Sequence, residues 1–249
     1  MIRSSLRRGE DAPLGILMLN TRFPRIAGDI GNPSSFPFPV RYAVIEPATV
    51  DRIVSADGPS ASIMDAFVDA AAGLVDDGVA GLTTSCGFMA IAQRELIGRC
   101  RVPVVTSSLC QIPLVQSTLP AGRRVGVLTI DSRALTPAHF AGVGAPTDLP
   151  VEGIESGLEL ARIIQQDLPE LDPKKAEGDV IDAGRRLIKK APDVGAIVLE
   201  CTNMAPYSKA LSTALGLPIF DIVGLLAWWH RSLRPPAFET QALASETVV

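Results

Sequence analysis

Two stretches of this chain read as copies of one design: Gly78-Val-Ala-Gly-Leu-Thr-Thr-Ser-Cys86-Gly-Phe-Met and Asp193-Val-Gly-Ala-Ile-Val-Leu-Glu-Cys201-Thr-Asn-Met. Each is an apolar run of strand length that ends in a cysteine. Each is followed by a helical stretch and then by a Pro-led strand, at Pro103 and at Pro218. The two cysteines are 115 residues apart, and so are the two prolines. Further upstream, Gly126-Val-Leu aligns with Gly15-Ile-Leu at an offset of 111. A chain that restarts the same strand and helix programme halfway along is constrained to two similar halves. Alternation of strands and helices makes each half a parallel sheet built from βαβ units.

The remaining elements fit that plan. Residues 14–20 form a first strand and 40–46 a second, separated by a stretch punctuated with Pro24, Gly28, Gly31, Pro33, Pro37 and Pro39, which reads as an ordered loop. Residues 60–77 are helical, with Ile63, Phe67, Ala71, Leu74 and Val75 on one face and Gly78 as the stop. Helices are also expected from Cys86 to about Arg99, over 174–190, from Cys201 through Leu215, and over 224–233. Residues 124–130 are the first strand of the second half, and 151–154 a weak second one. The expected division is 14–121 plus 223–240 for the half with Cys86 and 122–222 for the half with Cys201, with 1–13 and 241–249 as tails. Nearly half the residues are hydrophobic and few are aromatic. That suits a Val, Ile, Leu and Ala core, as in a parallel sheet covered on both faces.

Composition also excludes partners. A net charge of −4 argues against a nucleic-acid surface. No apolar run approaches the roughly 18–20 residues that span a bilayer. The basic start lacks the apolar segment of a secretory signal and reads as a tail. Four cysteines in a chain of this length are no disulfide framework, so a reduced, cytoplasmic protein is expected. Cys100 and Cys110 are read as structural, as are His139 and His230, which have no ligand spacing around them. The lysines at 174, 175, 189, 190 and 209 lie mainly in charged pairs, and neither a GxGxxG nor a GxxxxGK[ST] motif occurs. The expectation is an enzyme with no metal and no cofactor.

Cys86 and Cys201 each stand at the carboxyl end of a strand, where parallel α/β sheets gather ligands. A helix N-terminus at that point favours thiolate over thiol and offers N–H groups to a carboxylate or enolate. Ser85, Gly87 and the backbone of Phe88 add contacts beside Cys86, and Thr202 and Asn203 beside Cys201. After the first strand, Asn20, Arg22 and Arg25 stand near the same cleft mouth, where a guanidinium could hold a carboxylate. Thr129 and Ser132 take the equivalent place in the second half, as substrate contacts or helix caps.

The paired strand–Cys–turn units, with Leu199-Glu-Cys201-Thr-Asn in the second, resemble the aspartate/glutamate/hydantoin racemase superfamily over roughly residues 14–232. The resemblance implies two pseudo-symmetric parallel-sheet α/β domains with the substrate in the cleft between them, and a final helix that returns to the first domain. It implies one cysteine, Cys86 or Cys201, on either side of the substrate α-carbon, with neither metal nor pyridoxal phosphate. The chain departs from many amino-acid racemases of the group in having Gly87-Phe88 after the first cysteine rather than Asn-Thr. It also has Asn203 where glutamate racemases often carry a histidine. The bulk of Phe88 and Met89 points to a less polar or larger substrate than glutamate.

The function expected from these residues is a cofactor-independent racemase or epimerase of a carboxylate-bearing substrate, working by proton transfer between two thiols. The alternative is a lyase, decarboxylase or cis–trans isomerase of the same superfamily acting on a small carboxylic acid. A non-catalytic small-molecule binding protein is the rival from another class. A homo-oligomer, in its simplest form a dimer, is the expected assembly.

Overall fold

The structure is a computed structural model and describes residues 12–236. The expected tails, apart from Ala12 and Pro13, and residues 237–240 of the expected first half lie outside the described residues. Among the described residues, eight strands form two four-stranded sheets. The first contains β1 (Leu14–Leu19), β2 (Val40–Ile45), β3 (Gly81–Thr84) and β4 (Val104–Val105), in the order β2-β1-β3-β4. The second contains β5 (Arg124–Thr129), β6 (Val151–Gly153), β7 (Val194–Leu199) and β8 (Ile219–Phe220), in the order β6-β5-β7-β8. Every pairing is parallel, and the two orders are the same when read along the chain. All six residues of β1 and all four of β3 are buried, the mark of strands covered on both faces.

Nine α-helices surround the sheets: α1 (Val50–Ile53), α2 (Ala61–Asp76), α3 (Gln93–Arg99), α4 (Ile112–Thr118), α5 (Pro137–Gly142), α6 (Leu160–Gln165), α7 (Pro173–Lys190), α8 (Ser208–Leu215) and α9 (Ile222–Leu233) among the described residues. The face of α2 that the 3.6-residue spacing marks is the one buried, and Gly78 follows its end at φ +86°, the left-handed region glycine adopts without strain. Asp172 caps α7, accepting from the N–H groups of Lys174 and Lys175, with Pro173 in the first turn and Lys189 and Lys190 in the last.

One apolar core runs through both halves, from Leu17, Phe67 and Leu82 to Val127, Val180 and Ile197. A smaller cluster brings Ile222, Leu225 and Leu226 of α9 against Leu14, Ile16 and Met18 of β1, so the last helix lies on the first sheet. Gly81 makes room for it: a Cβ there would sit 2.8 Å from both Trp229 and Leu233 side-chain atoms. No helix among the described residues is long and apolar enough to cross a membrane.

Candidate active site

The two cysteines occupy equivalent turns. Each stands two residues past the end of its strand, has extended backbone, and caps a six-residue 3-10 helix, Gly87–Ala92 or Thr202–Tyr207. Each cysteine carbonyl accepts from the N–H of the methionine three residues on, Met89 or Met204, at 3.1 Å. Each sulfur faces a backbone N–H two residues on, that of Phe88 or of Asn203. The sequence pattern predicted α-helix directly after the cysteines; the tighter 3-10 turn comes first, and α3 and α8 follow it.

The correspondence extends to the residues before the cysteines. The Ser85 N–H donates to the Leu17 carbonyl at 3.0 Å, and the Glu200 N–H to Leu128 at 2.8 Å. The Leu19 N–H donates to Ser85 Oγ at 2.9 Å, and the Ile130 N–H serves the Glu200 carboxyl in the same way. The halves thus share a backbone scheme but differ in what it holds: a hydroxyl beside Cys86 and a carboxyl beside Cys201.

Cys86 and Cys201 line one cavity, together with Thr21, Arg25, Ser85, Gly87, Glu200, Thr202 and Asn203 and the apolar side chains of Val50, Val54, Ile130 and Ile164. Its volume is about 20 Å³, on a measure where a single water needs roughly 10–15 Å³. The walls are tied across the two halves. Thr202 Oγ1 donates to the Ser85 carbonyl at 2.7 Å, and Ser108 Oγ donates to the Leu199 carbonyl. Asn203 Nδ2 donates to Asp29 Oδ2 at 2.6 Å, and Asp29 in turn pairs with Arg25 at 3.2 Å. Arg25 also donates to Thr21 Oγ1 at 2.8 Å and lies over the Phe23 ring. A wider groove of about 560 Å³ between α4 and α9 is lined mostly by apolar side chains such as Leu114, Phe220 and Trp228, and pairs no reactive groups.

Burial controls titration here. Removal from water, with the Glu200 carboxylate adding to it, pushes the Cys86 thiol up to about 12. Burial and then Glu200 push Cys201 upward as well. Glu200 itself is raised by burial from 4.5 to about 7, against the Thr129 hydroxyl and Ile130 N–H that favour its charged form. The expected bias toward thiolate is therefore reversed: a six-residue 3-10 turn and one N–H per sulfur do not offset desolvation beside an acid. Burial beside Glu200 thus favours the thiol form of both sulfurs.

Of the residues expected at the site, Arg25, Ser85, Cys86, Gly87, Cys201, Thr202 and Asn203 line the cavity. Asn20, Arg22, Phe88, Thr129 and Ser132 do not. Asn20 is held by the Glu46 side chain, and the exposed Arg22 pairs with Asp167. Ser132 donates to Glu155 Oε1. Phe88 is fully buried, edge-on to His139 with ring centroids 5.1 Å apart, because the 3-10 turn directs it into the core. The apolar wall expected from Phe88 and Met89 comes instead from Val50, Val54, Ile130 and Ile164. Thr129 acts at one remove, donating to Glu200 Oε2 at 2.7 Å. Glu200 is the residue the sequence reading passed over. Its signal was present, as the acidic residue directly before Cys201, at a position where the first motif has Ser85. Gly87 is glycine because of it: a Cβ there would run into the Glu200 carbonyl and Oε1.

Residues 112–229, which include the Cys201 turn, match the Asp/Glu/Hydantoin racemase family. The chain is 28% identical over 228 residues to a dimethylsulfoniopropionate lyase of Durusdinium sp. clade D, covering 85% of this chain and 72% of that protein. It is 30% identical over 226 residues to dimethylsulfoniopropionate lyase 6 of Emiliania huxleyi, covering 84% of this chain but 57% of that protein. The chain thus spans little more than half the length of the second relative. Among solved structures, the allantoin racemase of Pseudomonas fluorescens shares the fold with a TM-score of 0.60 at 15% identity, over 88% of this chain and 90% of that one. With its two parallel sheets, its duplicated cysteine turns and a family match over its second half, the chain resembles the aspartate/glutamate/hydantoin racemase superfamily.

Proposed function

We propose that the chain is a carbon-acid lyase that eliminates a β-leaving group from a small carboxylate, with dimethylsulfoniopropionate as the first substrate to try. The observation that carries this reading is the convergence of Cys86 and Cys201, from equivalent turns, on one cavity that also holds Arg25 and Glu200. The identity to lyases over most of the chain favours elimination over racemisation. One sulfur, as thiolate, takes the proton from the carbon next to the carboxylate. The C–H electron pair becomes the Cα=Cβ bond. The Cβ–S bond breaks, and its pair leaves with dimethyl sulfide, so acrylate and a protonated thiol remain. Arg25 keeps N–H donors beyond those given to Asp29 and Thr21, and it suits the substrate carboxylate.

A second reading has its own support. Thiols supplied by both halves suit removal of a proton on one face and its return on the other, the racemisation expected from sequence. Both readings begin with the same proton transfer and part over whether the carbanion expels a group or is reprotonated. Incubation with dimethylsulfoniopropionate, followed by gas chromatography for dimethyl sulfide and proton NMR for acrylate, tests the lyase reading. Release should fall by about 100-fold or more in Cys86→Ala or Cys201→Ala and persist in Cys100→Ala and Cys110→Ala. No dimethyl sulfide, with α-deuterium appearing in amino acids or hydantoins in D₂O, would favour the racemase.

A further inference from the structure

We propose that Glu200 is the counter-ion for a positive charge on the substrate, so that the cavity selects zwitterions carrying a carboxylate and an onium group. The proposal rests on reading the Cys86–Cys201 cavity as the substrate site. Glu200 is 1% exposed and lines that cavity. Its Oε2 takes the Thr129 hydroxyl, while Oε1 is buried with no hydrogen-bond partner. Among the described residues, Arg25 is the only basic side chain on the cavity wall, and it is already paired with Asp29. A buried carboxylate with one bare oxygen and no paired cation is an unfinished electrostatic arrangement.

A sulfonium or quaternary ammonium group completes it. Such a cation has no N–H or O–H to donate, so it makes no demand for hydrogen bonds. Its methyl groups suit Val50, Val54, Ile130 and Ile164. Charge is then matched along the cavity, with Arg25 toward the carboxylate and Glu200 toward the onium. The arrangement is one-sided because Ser85 stands in the equivalent place of the first half. Burial is the main reason that both thiols stay protonated, and the Glu200 charge adds to it. A cation at Glu200 offsets that added part, so a cationic substrate assists formation of the thiolate that attacks it.

The test compares two ligands of nearly the same shape by calorimetry at about pH 8, where the wild-type Glu200 is charged. One is 3-(trimethylammonio)propanoate; the other is 4,4-dimethylpentanoate, in which carbon replaces the charged nitrogen. Wild type should bind the cation about tenfold or more tightly than the neutral isostere. Glu200→Gln should bring the ratio near one while leaving the neutral ligand's affinity nearly unchanged, which also shows that the variant folds. If that variant does not fold, the wild-type ratio at about pH 5.5 replaces it, since Glu200 is then largely neutral and the thiols have not titrated. A wild-type ratio near one, no binding of either ligand, or a ratio indifferent to both Glu200→Gln and protonation overturns the proposal. Because neither ligand need react, a protein that fails to release dimethyl sulfide yet shows the Glu200-dependent ratio refutes the lyase reading alone.

Discussion

Glu200 and Gly87 form a matched pair at the boundary between the halves: the acid fits against its neighbour only because that neighbour has no side chain. Gly87→Ala should therefore displace the backbone of the Cys201 turn, lowering the melting temperature by several degrees and removing most activity. A cost of about 1–3 kcal/mol or more is usual for such overpacking, and thermal denaturation with an activity assay checks it. The burial of Glu200 has a pH signature. Its folded pKa, about 7, lies above the ordinary 4.5, so the native state holds its proton more tightly than the unfolded chain does. The associated stability is present below about 4.5 and is lost as pH rises to about 7. Glu200→Gln should thus gain on wild type by on the order of 3 kcal/mol across that window and no further above it, as followed by urea unfolding at several pH values. Repetition made the two cysteines legible in the sequence. Glu200 stands in the same motif with a signal of its place but none of its role, because burial with an unpaired oxygen is a property of three dimensions. The Phe88 N–H faces Cys86 as expected, but the side chains of Arg22 and Phe88 turn elsewhere: chain position fixes which loop a residue belongs to, not where a 3-10 turn or a distant Asp167 directs its side chain.

At the scale of elements, the Pro- and Gly-rich loop after β1 is anchored to the Cys201 turn through Asp29. That carboxylate takes Arg25, the Gly31 N–H at 2.7 Å and Asn203. Gly28, at φ +93°, packs its Cα region against Pro206 of the same turn. Asp29→Ala would leave a mostly buried guanidinium and an amide without their partner, so a loss of about 3–5 kcal/mol is expected in chemical denaturation. Arg25 would also lose its fixed orientation, so KM for a carboxylate substrate should rise. The long helices α2 and α7 were readable because several turns of 3.6-residue spacing and clear stops leave little ambiguity. The short α1, α5 and α6 were not: one or two turns give too few repeats for a period to show, and packing rather than propensity decides them.

For the molecule as a whole, duplication gives two sheets of the same strand order, yet α9 crosses back and seals the first of them. Gly81→Val would push side-chain atoms into Trp229 and Leu233 and should loosen that seal, costing about 1–3 kcal/mol in thermal unfolding while leaving the cavity walls intact. The cavity has a further consequence, for time rather than affinity. A space that holds about one water is smaller than a carboxylate substrate, so the walls, tied to each other from Thr202 to Ser85, must part for one to enter. Entry is then gated by the protein's own breathing, not by collision. In stopped-flow mixing, the observed association rate should climb with ligand concentration and then level off at the opening rate. Thr202→Val, which removes one tie, should raise that plateau; a rate that stays linear to high concentration would mean that the cleft stands open in solution.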